Sequence, residues 1–166
     1  MMISDKMAAR LNEQVKNEYF AFWTYKAMAF ALEDMGLKVF AKWFHLQSEE
    51  EKGHAEKIAD YIVDQGGQVK LTELPSPKTD YKSCQEIIEG ALEHELMVTK
   101  QINDIVDMAN GEKDHATRKF IDWFVEEQVE EVASVTEILD LVKYTKDTGQ
   151  LLMLESRIYR LVEARS

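Results

Sequence analysis

Glu51 and His54 stand three residues apart in the segment SEEEKGHAEKIAD. On a helix that interval turns both side chains to one side, so Glu-x-x-His offers a carboxylate and an imidazole to a single ion. Residues spaced by three and four share a helix face, and four such faces can be traced through the chain. The first carries Leu11, Glu18, Tyr25 and Leu32, with Val15, Phe22 and Ala29 between them. The second carries Phe40, Phe44, Gln47, Glu51, His54, Ile58 and Tyr61. The third has Ile88, Ala91, Glu95, Val98, Ile102, Ile105 and Ala109, and the fourth Ile121, Phe124, Gln128, Glu131, Val135, Ile138 and Val142. Each stripe is apolar except near its middle, where a carboxylate interrupts it.

One buried Glu costs several kcal/mol unless something compensates it. Glu18, Glu51, Glu95 and Glu131 buried together would cost more, because no Lys or Arg shares these stripes. Two divalent cations would balance four carboxylates. An oxygen-rich donor set with His54 as its single imidazole suits Fe(II) or Mn(II). The bland alternative is a misplaced face, since a shift of one residue rotates a stripe by ~100°. Four coincident interruptions, one of them carrying Glu-x-x-His, favour a metal centre. A second Glu-x-x-His, Glu112 and His115, lies beside Asn110-Gly111 with no further inward acids nearby, and reads as a solvated loop.

Positioning these groups falls to five helical segments. The first runs from Ser4 or Asp5 to Met35 and stops at Gly36; the second, from about Leu37 to Gln65, stops at Gly66-Gly67. The third opens on Ser83-Cys84-Gln85-Glu86, a capping-box pattern in which the Ser and Glu side chains satisfy each other's backbone N–H groups, and closes at Asn110-Gly111. The fourth spans about Asp114 to Tyr144 and a shorter fifth about 149–163. Short links at Gly36 and Gly111–Lys113 make two antiparallel hairpins. Between them lies GGQVKLTELPSPKTDYK, which holds both prolines. A helix of ~28 residues is about 42 Å long, and some 16 extended residues cover ~53 Å. The prediction is an all-α four-helix bundle (about 5–145) with one long crossover between helices 2 and 3 and a short fifth helix, in a single domain over 1–166.

The composition is compatible with this. The chain has 166 residues and a net charge of −11, with 45% hydrophobic and 31% charged residues, which is too apolar for disorder. Without a basic run it is a poor partner for nucleic acid. The acidic surplus suits cations or simply solubility. Cys84 is the lone cysteine, so neither a disulfide framework nor a thiolate metal site is available. The opening MMISDKMAAR lacks the apolar core of a secretory signal, and no stretch nears the ~18 apolar residues of a membrane span. A cytoplasmic location and no membrane partner are expected.

At LNEQVKNEYFAFWTY, SEEEKGHAEKIADYIVDQGG, LEHELMVTKQIN and WFVEEQVEE the chain resembles the ferritins, and the likeness extends over nearly its whole length. The resemblance implies a prokaryotic non-haem ferritin with a ferroxidase centre. Glu18, Glu51 and His54 would form a first iron site. Glu51, Glu95 and Glu131 would form a second, with Glu51 bridging, Gln128 beside it and Tyr25 adjoining. Glu50, Glu127 and Glu130 fall where prokaryotic ferritins place a third iron; spacing alone makes them a solvated acidic flank. The resemblance further implies oxidation of Fe(II) by dioxygen or hydrogen peroxide and a homo-oligomeric shell of twenty-four subunits storing ferric mineral. The alternative is a ferritin-like di-iron oxidase or peroxide reductase without mineral storage.

Departures from relatives sharpen this. Ser134 stands three residues after Glu131, so the second Glu-x-x-His of bacterioferritins and rubrerythrins is absent. Lys52 occupies the place of the haem-ligating Met of bacterioferritins, and no haem is expected. Arg118 and Ile121 stand where animal ferritins have the acids of a threefold iron channel. Among the remaining features, Phe40, Trp43, Phe44, Phe120, Trp123 and Phe124 read as core or subunit contacts. Tyr25 reads as a structural phenol, with electron donation as the alternative. Arg157, Arg160 and Arg165 read as a surface flank at the end of the fifth helix.

Overall fold

Local capping chemistry sets where the helices begin. The computed structural model describes residues 2–165; Met1 and Ser166, the outermost residues of the expected domain, lie outside the described residues. The elements are α1 (Asp5–Asp34), α2 (Lys38–Asp64), α3 (Cys84–Glu112), α4 (His115–Lys143) and α5 (Thr148–Arg165), with no strand among the described residues. Ser4 Oγ accepts the Met7 N–H at 2.9 Å, and Asp114 Oδ1 accepts the Thr117 N–H at 2.9 Å, each satisfying a free donor of a first turn. Gly36 (φ +78°) and Gly66 (φ +75°) supply the left-handed residues after α1 and α2. Among the described residues no helix is long and apolar enough to cross a membrane.

α1 packs on α2 and α3 on α4 as two antiparallel hairpins, and α1 also lies against α3. The crossover runs along α1. Asn12 holds its start, donating to the Gln68 carbonyl at 3.0 Å and accepting the Lys70 N–H at 2.6 Å. Pro75 and Pro77 line a surface hollow with Trp23 and Phe30 farther along the same helix. α5 folds back against α2 and α4. This is the expected four-helix bundle with a short fifth helix.

Two apolar clusters fill the bundle. One contains Tyr25, Met28, Leu32, Phe40, Phe44, Ile88, Val135 and Ile138, closed by Ile158 and Val162 of α5. The other contains Met7, Leu11, Val15, Ile58, Ile102, Ile105, Ile121 and Phe124. Burying each Leu, Ile or Phe contributes ~1.5–3 kcal/mol. Along all four long helices the carboxylates fall between the two clusters, so packing on both sides fixes the backbone that carries them.

Three local details differ from expectation. Phe22 is half-buried beside Trp23, with ring centroids 5.6 Å apart, while Ala21 and Met28 take the inward places. α3 continues through Asn110-Gly111 to Glu112, and Lys113 (φ +57°) provides its left-handed cap. The capping box before α3 is only half formed. Ser83 Oγ accepts the Glu86 N–H at 3.1 Å, but the Glu86 carboxylate takes the Lys82 N–H at 2.7 Å and the Lys78 ammonium at 2.6 Å. The added charge-assisted bond from Lys78 draws that carboxylate outward.

Candidate metal centre

Five potential ligands come from four helices. Glu18 (α1), Glu51 and His54 (α2), Glu95 (α3) and Glu131 (α4) are all buried. Ligand atoms of Glu18, Glu51 and His54 lie within 4.8 Å of one another, as do those of Glu51, Glu95 and Glu131. Glu51 is common to both sets, so its two oxygens can face two ions. A third set within the same distance joins His54, Glu127 and Glu131.

Amide and phenol donors hold the outer faces of these acids. Gln14 Nε2 donates to Glu18 Oε1 at 2.7 Å. Gln47 Nε2 donates to Glu51 Oε1 at 2.8 Å and to Glu131 Oε2 at 2.7 Å, tying α2 to α4. Gln128 Nε2 lies 3.1 Å from Glu95 Oε2 and 3.2 Å from the Glu95 carbonyl. The Tyr25 hydroxyl donates to Glu95 Oε1. His54 Nδ1 sits 3.2 Å from Glu51 Oε2 and 3.9 Å from Glu18 Oε2. Two carboxylate oxygens, Glu18 Oε2 and Glu131 Oε1, are buried without any hydrogen-bond partner among the described residues. Such orphans in a native interior call for an explanation, and one falls in each of the two sets that share Glu51.

The electrostatics match this geometry. Burial first, and the charge of Glu51 second, push the Glu18 carboxyl up to about 8. Burial with Glu51 and Glu95 pushes Glu131 up to about 9. Glu51 itself is raised well above the usual carboxyl range by burial and by Glu95. Burial and the adjacent Glu95 also raise the Tyr25 phenol, so it keeps its proton and stays a donor. Near neutral pH the chain therefore holds protons here that a divalent cation would displace. The oxygen-rich donor set, the lone imidazole and the orphaned oxygens fit a pair of hard or borderline ions.

Gln128 is buried beside the second set and faces Glu95. Not every expected residue converges. Of the third-site residues, Glu127 is half-buried beside His54 and Glu131, and burial raises its carboxyl. Glu50 pairs with Arg165 instead, and Glu130 is exposed; neither joins a ligand set among the described residues. Glu112 and His115 are both exposed, and Glu112 accepts from Ser4 Oγ at 2.6 Å. Ile121 is fully buried and cannot line a channel, while Arg118 is paired with Asp122.

Gln14 and Gln47 were not expected at the centre. Their signal is a repeated Gln-x-x-x-Glu, Gln14 with Glu18 and Gln47 with Glu51, at the spacing that lets an amide reach a carboxylate one turn on.

Residues 8–144 match the Ferritin family, a ferritin-like domain. The bacterial non-heme ferritin of Bacteroides fragilis is 39% identical over 157 residues, covering 95% of this chain and 98% of its own length. That of Staphylococcus saprophyticus is 37% identical over 153 residues, 92% of each chain. Among solved structures, an open pore ferritin from the hyperthermophilic archaeon Archaeoglobus fulgidus superposes with a TM-score of 0.92 at 39% identity, over 95% of this chain and 97% of that one.

Proposed function

The chain belongs to the ferritin family, and from that premise we propose that it oxidises Fe(II) at an intrasubunit centre and stores the ferric product in an oligomeric shell. The observation that carries the reading is the pair of buried ligand sets sharing Glu51, each with an oxygen that has no hydrogen-bond partner among the described residues. Glu18, Glu51 and His54 hold one Fe(II), and Glu51, Glu95 and Glu131 hold the other. Iron is here the substrate. Few protein donors per ion leave positions open for the oxidant.

Two Fe(II) ions lose one electron each. Dioxygen takes both electrons with two protons and leaves as hydrogen peroxide; peroxide as the oxidant takes two electrons and two protons and leaves as two waters. Fe(II) binding expels the protons that Glu18 and Glu131 retain near neutral pH. Gln14, Gln47 and Gln128 keep the carboxylates aimed inward, and Tyr25 fixes Glu95. Oxygen donors favour the higher charge of Fe(III), which then passes to the cavity of a shell of twenty-four subunits in the cytoplasm.

Anaerobic Fe(II) titration followed by an oxygen pulse tests the chemistry. The expected result is saturation at roughly two Fe(II) per subunit, then oxidation faster than that of Fe(II) in buffer alone. Uptake of no Fe(II) by well-folded protein would remove the centre. Size in solution and iron retained per subunit separate storage from a plain di-iron oxidase or peroxide reductase. A dissociated monomer would end the storage reading.

A further inference from the structure

Arg165, the last described residue of α5, does not lie on the surface flank expected for it. Its Nη2 donates to Gln47 Oε1 and to Glu50 Oε2, both at 2.6 Å. Its guanidinium carbon stands 4.5 Å from the Trp43 ring centroid, and the side chain is only 20% exposed. Cation–π contact and a carboxylate partner together hold the guanidinium at this place.

Two consequences follow for the neighbouring acids. An amide side chain has one acceptor oxygen and one NH2 group. With Oε1 of Gln47 taken by Arg165, its Nε2 must face Glu51 and Glu131, as observed at 2.8 and 2.7 Å. The flipped amide would set its oxygen against two carboxylates. Arg165 thus fixes the orientation that both acids require. The second consequence concerns Glu50, whose charge reaches Glu51, Glu127 and Glu131. Ligand atoms of His54, Glu127 and Glu131 already cluster on this flank, yet Glu50 stands outside that cluster, bound to Arg165.

We propose that Arg165 is a tethered cation on the flank of the metal centre: it holds Glu50 in place of a third metal ion and, through Gln47, positions Glu51 and Glu131. The proposal rests on the metal-centre reading above. It makes Arg165 a positioning residue and joins the docking of α5 to the number of ions the subunit takes up.

Isothermal titration of the assembled, full-length protein with Zn(II) tests it, because Zn(II) binds without being oxidised. The wild type should saturate at roughly two Zn(II) per subunit. Arg165→Gln should take up one more, with the first pair bound about tenfold more weakly, the low end of the effect of removing an outer-shell partner. Arg165→Lys, which restores the charge beside Glu50, should return to the wild-type stoichiometry. Arg157→Gln breaks a different α5 contact, to Glu137 at 3.9 Å, and should bind like the wild type.

A wild type that takes a third ion with Arg165 in place, or an Arg165→Gln protein with unchanged stoichiometry, overturns the proposal. So does a third ion in Arg165→Lys, or one in Arg157→Gln, which would trace the effect to loosening of α5. A folded wild type that binds no Zn(II) overturns this proposal and the centre together, whereas two ions in both wild type and Arg165→Gln overturn only the role of Arg165.

Discussion

Glu51-Lys52-Gly53-His54 and Glu112-Lys113-Asp114-His115 differ at one of four positions, yet they have little in common in the fold. The first lies inside α2, so Glu51 and His54 share a face and His54 Nδ1 comes within 3.2 Å of Glu51 Oε2. The second straddles a junction. Lys113 takes a left-handed conformation that ends α3, and Asp114 caps α4. Asp114 explains the contrast, since its carboxylate is suited to capping a first turn. Gly53 has no side chain with which to do that. Surroundings complete the difference: three more acids converge on Glu51, whereas the Glu112 carboxylate accepts a hydrogen bond from Ser4 and joins no ligand set among the described residues. A metal-binding spacing acquires meaning only when one helix carries it and other elements bring further ligands.

The comparison can be broken hardest through pH. Glu18 and Glu131 have carboxyls raised to about 8 and about 9 in the folded chain, against ~4.3 unfolded. The native state therefore binds protons that the unfolded state has lost. Metal-free protein should lose stability as pH rises from about 4 through about 9, by several kcal/mol for each carboxyl. Below about pH 4 both states are protonated and this effect vanishes. Urea melts of metal-free protein at acid, neutral and mildly alkaline pH would read it. Zn(II) should restore the stability lost at high pH, Glu131→Gln should make the profile shallower by the share of that carboxyl, and Glu112→Gln should leave it unaltered. A flat wild-type profile would contradict the buried cluster.

Ligand loss gives the next largest effect. Glu51→Ala removes the one group common to both sets, and Fe(II) oxidation should slow by at least ~100-fold, the upper end for even an outer-shell partner. Glu112→Ala should keep the wild-type rate. Stopped-flow oxidation of the two variants side by side decides the matter; equal rates would dissolve the distinction between the motifs.

Why one region was legible from sequence and the other only in part follows from particular residues. Glu18, Glu51, His54, Glu95 and Glu131 were readable because helical periodicity is long-range and each acid interrupts an apolar stripe. The crossover length then set the hairpins. The role of Gln47 depended on amide orientation and on a helix from the far end of the chain, and periodicity encodes neither. Arg165 escaped for the same reason: its partners, Gln47 and Glu50, are more than a hundred residues away. Continuation of α3 past Gly111 was hidden because Asn-Gly is a stop signal that the capping of α4 by Asp114 overrode.

Smaller changes sharpen the contrast. Tyr25→Phe deprives Glu95 of its phenol donor, while the ring retains its packing near Phe44 at a centroid distance of 5.7 Å. The site of Glu51, Glu95 and Glu131 should bind Zn(II) about tenfold more weakly, with the Glu18 and His54 side little changed. Titration calorimetry resolves the two steps. A uniform weakening of both would mean that Tyr25 supports the bundle rather than one ligand.

The smallest effect lies at the other motif. Ser4 caps α1 through the Met7 N–H and also donates to Glu112, so Ser4→Ala removes a cap and the only hydrogen bond to the Glu112 carboxylate among the described residues. Cap loss costs ~1 kcal/mol, and the exposed Ser4–Glu112 bond adds little, because water replaces it. The chemical melt should shift by about that amount, at every pH alike, with Zn(II) uptake and Fe(II) oxidation unchanged. Ser4 and Glu112 join the start of α1 to the end of α3, so the loss is one of local anchoring. If Ser4→Ala altered metal stoichiometry instead, Glu112 and His115 would be more than a helix junction.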